Sequence, residues 1–250
     1  MNTTVIAGTL LSLASCGTGA KTTDPDLISA IDSTVITLAD SIGAAYLPDI
    51  LSEEDYADAA QKLGIEVAAL KAVVEVEAGR DQGGFVEPGM PIINFDLRQF
   101  RRLAVKHKVN LTRYRKSHAI VFNPPNAKAH GGHQYAQHAR LAKASEIDRK
   151  TAVYATYWGM FQIGGANWQL CGAGSYEEFV DLMSRSERDQ LELFATFIEK
   201  CGYTKYLRDK QWAAFARRYN GPGYRRYNYD TRMAAAYKRY KERPTEVPEI

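Results

Sequence analysis

The chain has 250 residues, of which 45% are hydrophobic and 24% charged, with a formal net charge of +3. That balance belongs to an ordinary globular protein with room for one large domain, or one domain and an appendage. Cys16, Cys171 and Cys201 are an odd set with no CxxC spacing, so no metal site or disulfide framework follows from them; Cys171 and Cys201 pair only if the fold brings them together, and buried free thiols are the expectation.

Residues 5–14, VIAGTLLSLA, form an apolar run too short to span a bilayer. Leu13-Ala14-Ser15-Cys16 matches the pattern after which bacterial lipoproteins are cleaved and lipidated, but no Lys or Arg precedes it. Residues 1–50 are therefore read first as a packing or assembly segment that contacts other subunits, and second as a lipoprotein signal. Membrane contact is expected only if Cys16 carries lipid. Leu27, Ile28, Ile31, Val35, Leu38 and Ile42 recur at roughly helical spacing within this segment.

A main domain is expected over residues 51–243, followed by a disordered tail at 244–250. Ser52-Glu53-Glu54-Asp55 has the form of a capping box, opening a helix that runs to Leu63 and stops at Gly64. A second helix over 66–78 follows almost at once. Two short helices joined by Gly resemble a helix-turn-helix. The second, however, carries Glu66, Glu75 and Glu77 against Lys71 alone, whereas a phosphate-facing helix should be basic. Nucleic acid is not an expected partner.

Residues 70–78, LKAVVEVEA, are apolar on most of the helix circumference, yet two carboxylates sit in the last turn. Apolar surroundings and the negative end of the helix dipole both disfavour a carboxylate anion, and a Glu still protonated near neutral pH can act as a general acid. Glu75 and Glu77 stand about 200° apart on a helical wheel, so only one of them can face a given cleft. The ordinary alternative is a solvated Glu at a helix end.

Residues 80–89 read as a Gly-rich, charged loop. Pro91-Ile92-Ile93-Asn94-Phe95-Asp96 reads as a short strand that delivers Asp96 to the same cleft, and 97–108 as an amphipathic basic helix. Residues 109–133, with Pro124-Pro125 and Gly131-Gly132, read as a long loop or lid. His130, His133 and His138 lie close in sequence but lack a Cys or carboxylate partner at ligand spacing, so a polar loop is expected there and no metal. A helix or pair of helices over 135–155 ends at Thr156-Tyr157-Trp158-Gly159-Met160-Phe161-Gln162, where Trp158 and Gln162 either line a groove or pack in the core. Helices follow over 176–184, 187–201, 211–219 (capped by Asp209) and 230–242. From Lys200 to Arg243 there are thirteen Lys or Arg against Asp209, Asp230 and Glu242. This end should seek an anionic partner, whether cell-wall polymer, lipid headgroup or nucleic acid, and many of the fifteen tyrosines lie in the same region, suited to stacking on sugars or bases.

Three separated stretches, VEVEA (74–78), WGMFQI (158–163) and AFARRYNGPG (214–223), stand in the order seen in lysozyme-like muramidases. PIINFD, GGHQY and FVDLMSRSERDQLELFATFI extend the likeness from about residue 51 to 240. The chain resembles the N-acetylmuramidase domain of phage endolysins and other bacteriolytic proteins, which is similar to goose-type lysozymes and lytic transglycosylases. The resemblance implies a mainly α, lysozyme-like α+β fold with a small strand and loop region beside the active-site cleft. It implies Glu77 as the general acid, Gln162 as the Gln of the transglycosylase groove, and Tyr219 and Asn220 as the pair lining the cleft beside the acid. Trp158 is a further groove candidate. Two positions depart from the family pattern: Ala78 stands where Ser is usual, and Asp96 where Glu is usual. Residues 1–50 do not resemble the peptidoglycan-binding repeat that often precedes this domain.

The implied reaction is cleavage of the β-1,4 bond between N-acetylmuramic acid and N-acetylglucosamine in bacterial peptidoglycan, at the cell wall, without cofactor or metal. Protonated Glu77 would donate to the leaving oxygen, and Asp96 would activate water, with Asp81 and Glu87 behind it. A virion-associated protein, or an enzyme released from the host cytoplasm, fits this reading. The alternatives are a lytic transglycosylase on the same fold, in which the muramic acid 6-hydroxyl attacks, and a weakly active virion structural or wall-binding protein.

Overall fold

A computed structural model describes residues 50–78 and 83–242. The expectations for residues 1–49, including Cys16, for Asp81 and for the tail lie outside the described residues.

The centre of the domain is the helix that the sequence marks as most apolar. Helix α2 (Val67–Ala78) buries Ala69, Leu70, Ala72 and Val73 completely. Each fully buried Leu or Val side chain stabilises the fold by roughly 1.5–3 kcal/mol, so this one element anchors much of the core. Before it, α1 (Glu53–Leu63) starts at a true capping box: Ser52 Oγ accepts from the Asp55 amide while the Asp55 carboxylate accepts from the Ser52 amide. It ends at Gly64, whose φ of 60° is the left-handed conformation that glycine adopts without a Cβ penalty.

The chain then forms two small sheets. Strands β1 (Phe85–Glu87) and β2 (Met90–Pro91) make a hairpin. Strand β3 (Ile93–Phe95) pairs antiparallel with β4 (Thr156–Trp158), which pairs antiparallel with β5 (Ile163–Gly164). In register, Ile93 lies opposite Trp158 and Phe95 opposite Thr156, and these four residues are buried while Asn94 and Tyr157 face outward. That is the period-two alternation of a sheet with one face on the core.

Between β3 and β4 come α3 (Leu97–Lys106), the short α4 (Ala119–Phe122) and the long α5 (His133–Tyr154). Helix α5 breaks at Asp148, whose φ of −162° is extended and whose Oδ1 accepts from the Thr151 amide, restarting the helix. The expected long loop over 109–133 is partly ordered, since it holds a 3₁₀ turn at Leu111–Tyr114 as well as α4. His138 meets the Pro91 carbonyl at 2.8 Å and His133 meets Gln137 at 3.3 Å. Among the described residues, no group of three or more His, Cys, Asp or Glu is placed to hold a metal ion.

The last third is helical: α6 (Tyr176–Met183), α7 (Glu187–Lys200), α8 (Thr204–Arg208), α9 (Trp212–Tyr219) and α10 (Tyr229–Glu242). The sequence leads one to expect Asp209 as the cap of α9, and the structure corrects this. Asp209 closes α8, a one-turn helix whose weak pattern hid it, and α9 begins behind Gln211 with no side-chain cap. Helix α10 lies along α2. Ion pairs tie the two together, Lys241 to Glu66 and Arg239 to Glu75. Cys171 is buried and Cys201 half-buried, and both are free thiols. No helix among the described residues is long and apolar enough to cross a membrane.

Candidate active site

Helix α2 carries its two carboxylates into different surroundings. Glu75 faces α10 and is paired with Arg239. Glu77, two residues on, faces the end of α9, where Asn220 Nδ2 donates to its Oε1 at 3.0 Å. Burial pushes the Glu77 carboxyl up to about 7; the Asn220 hydrogen bond and the charge of Arg232 oppose that rise but do not cancel it. Glu77 is therefore partly protonated at neutral pH, and it still touches solvent, being only half-buried.

Arg232, on α10, also donates to the Val76 carbonyl at 3.4 Å. It occupies one of the orphan acceptors at the C-terminus of α2 and places a cation at the negative end of the helix dipole. Tyr219, the last residue of α9, donates its hydroxyl to the Phe161 carbonyl at 2.8 Å, and its ring stacks on Phe215 and meets Phe194 edge-on. Burial, then the Glu77 charge, raises the Tyr219 phenol well above its ordinary value, and the same two causes raise Tyr229. Both hydroxyls remain protonated at any physiological pH and can act as donors. Tyr229 and Arg232 were not singled out from sequence; their only signal was membership of the basic, Tyr-rich C-terminal run.

Gln162 sits in the turn between β4 and β5 with a φ of 49°, a left-handed conformation costing about 1 kcal/mol or more for a residue with a Cβ. Its backbone amide and its side-chain Nε2 both donate to the Gly159 carbonyl, at 3.1 and 2.9 Å. The side chain is half-buried, and that tether holds the amide group in one orientation.

Two candidates have other surroundings. Trp158 is 3% exposed, with its indole N–H on the Val153 carbonyl at 3.3 Å and its ring edge-on to Phe179, so it is a core residue and does not line a groove. Asp96 is the N-cap of α3: its Oδ1 accepts from the Arg98 and Gln99 amides at 2.7 and 3.0 Å. Its position just before an amphipathic helix explains that role. Glu87, on β1, is exposed; the Tyr135 hydroxyl donates to it at 3.5 Å, and its charge also acts on His138.

A carboxyl pushed up to about 7, seated at the end of a buried helix and held by the Asn220 amide, in a chain of helices with small antiparallel sheets, defines a lysozyme-like, mainly helical glycosidase. A family model described as Muramidase, N-acetylmuramidase, matches residues 66–241. The chain belongs to the N-acetylmuramidase family and is a peptidoglycan-degrading glycoside hydrolase. Its fold is similar to the crystal structure of the Burkholderia AP3 phage endolysin, at 35% identity and a TM-score of 0.67, covering 79% of this chain and 74% of that one. No curated protein matches.

Proposed function

We propose that Glu77 is the general acid with which this enzyme cleaves the β-1,4 bond between N-acetylmuramic acid and N-acetylglucosamine. The observation that carries this reading is the Glu77 carboxyl itself, raised by burial to about 7 and held by Asn220. Its proton passes to the leaving glycosidic oxygen as the sugar ring becomes oxocarbenium-like, and the Asn220 amide then stabilises the carboxylate left behind. Gln162, tethered in its turn, and the pair Tyr219 and Asn220 line the groove in this reading.

Hydrolysis also needs water activated on the opposite face of the ring. Asp96 caps the α3 N-terminus, and Glu87 is exposed on β1. Glu87 is therefore our candidate for orienting that water. A route in which the muramic acid 6-hydroxyl attacks in place of water would yield anhydro ends on the same acid.

The likeness to a phage endolysin supports a lytic role at the host cell wall, carried by residues 51–243. Residues 1–50 are proposed to contact other subunits, in a virion or elsewhere, or to carry lipid at Cys16. Exposed Arg217, Arg218, Arg225 and Arg226 lie just before and after Asn220 in the chain and favour an anionic polymer.

Digestion of purified peptidoglycan by wild type and Glu77→Gln, with mass spectrometry of the released muropeptides, tests the reading. Reducing-end muramic acid that disappears in the variant is the expected result. Anhydro ends would turn the assignment to a transglycosylase, and activity surviving in Glu77→Gln would remove Glu77 as the acid.

A further inference from the structure

We infer that Gln190, a residue of α7 without any part in binding sugar, is a positioning residue that holds the Gly159–Gln162 turn and, through it, the Tyr219–Asn220 end of α9 against Glu77. The inference rests on the assignment of Glu77 as the acid.

Gln190 is completely buried, and both ends of its side-chain amide are hydrogen-bonded. Oε1 accepts from the Met160 amide at 2.8 Å, and Nε2 donates to the carbonyls of Met183 at 2.8 Å and Gly84 at 3.3 Å. One planar group thus joins three backbone segments: the turn between β4 and β5, the C-terminal end of α6, and the chain just before β1. One helical turn earlier on α7, Glu187 is 3% exposed and accepts from the Gly84 amide at 2.6 Å and the Leu51 amide at 3.4 Å. Gly84 is therefore gripped through both its N–H and its C=O by two side chains of one helix.

The glycines at these contacts record how closely Gln190 approaches. A Cβ built on Gly84 would lie 2.4 Å from Gln190 Oε1, and one built on Gly159 would lie 2.6 Å from the same atom. Both distances are below any real contact, so Gln190 and these two glycines fit only as a set. Gly159 also has a φ of +68°, a second reason for glycine there.

From Met160 the link to the acid is short. Phe161, the next residue, offers its carbonyl to the Tyr219 hydroxyl at 2.8 Å and stacks its ring on Phe194 of α7. Tyr219 is followed by Asn220, the donor to Glu77. Gln162, the residue after Phe161, is the strained position of the same turn. Buried amides left without partners cost about 1–3 kcal/mol each, so removing Gln190 forces the turn to move until those groups find new partners. A turn that moves carries the Phe161 carbonyl with it and loosens the anchor of Tyr219.

The test is Gln190→Met, which keeps volume and removes every hydrogen bond, assayed on purified peptidoglycan alongside the core control Val121→Ala. The expected result is a fall in kcat of tenfold or more with KM within threefold. The alkaline limb of the pH profile should also move upward, because a weakened Asn220 contact no longer opposes the effect of burial on Glu77. Val121→Ala should lower Tm without moving that limb. A Gln190→Met enzyme with lowered Tm but wild-type kcat and limb would overturn the inference. Should Gln190→Met fail to fold, Tyr219→Phe removes the hydroxyl that binds the Phe161 carbonyl; the same upward limb is expected, and an unmoved limb overturns it. Loss of activity in Glu77→Gln together with unmoved limbs would defeat only the positioning role, whereas an active Glu77→Gln would defeat the acid assignment as well.

Discussion

Asn220 donates to Glu77 at 3.0 Å across 143 residues of chain, joining the last turn of the most buried helix to the end of α9. The bond works against the surroundings. Burial drives the Glu77 proton on, Asn220 and Arg232 draw it off, and the balance at about 7 leaves the group protonated in a large fraction of molecules where a wall-degrading enzyme operates. A higher value would weaken it as a proton donor, and a lower one would leave it ionised before it acts.

Activity should therefore fall as pH rises through about 7, since only protonated Glu77 can donate. The pH dependence of kcat/KM on peptidoglycan reads this limb directly. Glu77→Gln should lower kcat by about 10²–10⁴-fold, the usual contribution of a positioned general acid.

The same shift makes a stability prediction of definite sign. Glu77 titrates from an ordinary 4.5 in the unfolded chain to about 7 in the fold, so between those values the native state holds more proton than the unfolded state. Stability should fall as pH rises from about 4.5 and level off above about 7. A shift of this size, reduced for a half-buried group, is worth about 2 kcal/mol. Glu77→Gln lacks the titration, so denaturant unfolding should find the variant more stable than wild type at pH 8 by about that amount, with little difference at pH 4.

Asn220→Ala isolates the donor. Losing one hydrogen bond to the carboxylate should raise the alkaline limb by roughly half to one pH unit and lower kcat at pH 8 less than at pH 6, because the variant keeps its proton longer. A limb unmoved in this variant would mean that Asn220 does not contact the ionised acid.

Much of this site is legible in sequence because its parts are local. A carboxylate in the last turn of an apolar helix announces itself, and the Tyr219-Asn220 pair before Gly221 marks a helix end. Choosing Glu77 over Glu75 needed either the family likeness or the partner on α10, since Arg239 lies 164 residues from Glu75. Gln190 was invisible for a similar reason: its partners Gly84 and Met160 are 106 and 30 residues away, and a Gln inside a helix has no local mark of that use. Trp158 and Thr156 alternate inward on β4, but a three-residue strand is too short to show its period in the sequence, which left Trp158 open between groove and core.

Trp158→Ala should accordingly behave as a core deletion. Removing a buried indole costs about 3–5 kcal/mol, so the variant should unfold at lower denaturant while the folded fraction keeps its KM. A raised KM at unchanged stability would return Trp158 to the groove.

Asp96 separates a helix cap from a catalytic base by two substitutions. Asp96→Asn keeps an oxygen that can accept from the Arg98 and Gln99 amides, and Asn is as good an N-cap as Asp. It should be nearly as stable as wild type and retain most activity, because capping does not need the charge. Asp96→Ala removes the acceptor and should lose about 1 kcal/mol of stability, the usual cost of deleting an N-cap, with activity following the folded fraction. A water-activating base gives the opposite pattern: Asn would be nearly as inactive as Ala, since neither can take a proton, and its stability would be intact. Glu87→Gln is the companion variant. A loss of about 10²-fold or more in its kcat, beside an active Asp96→Asn, would place the water-activating carboxylate on β1.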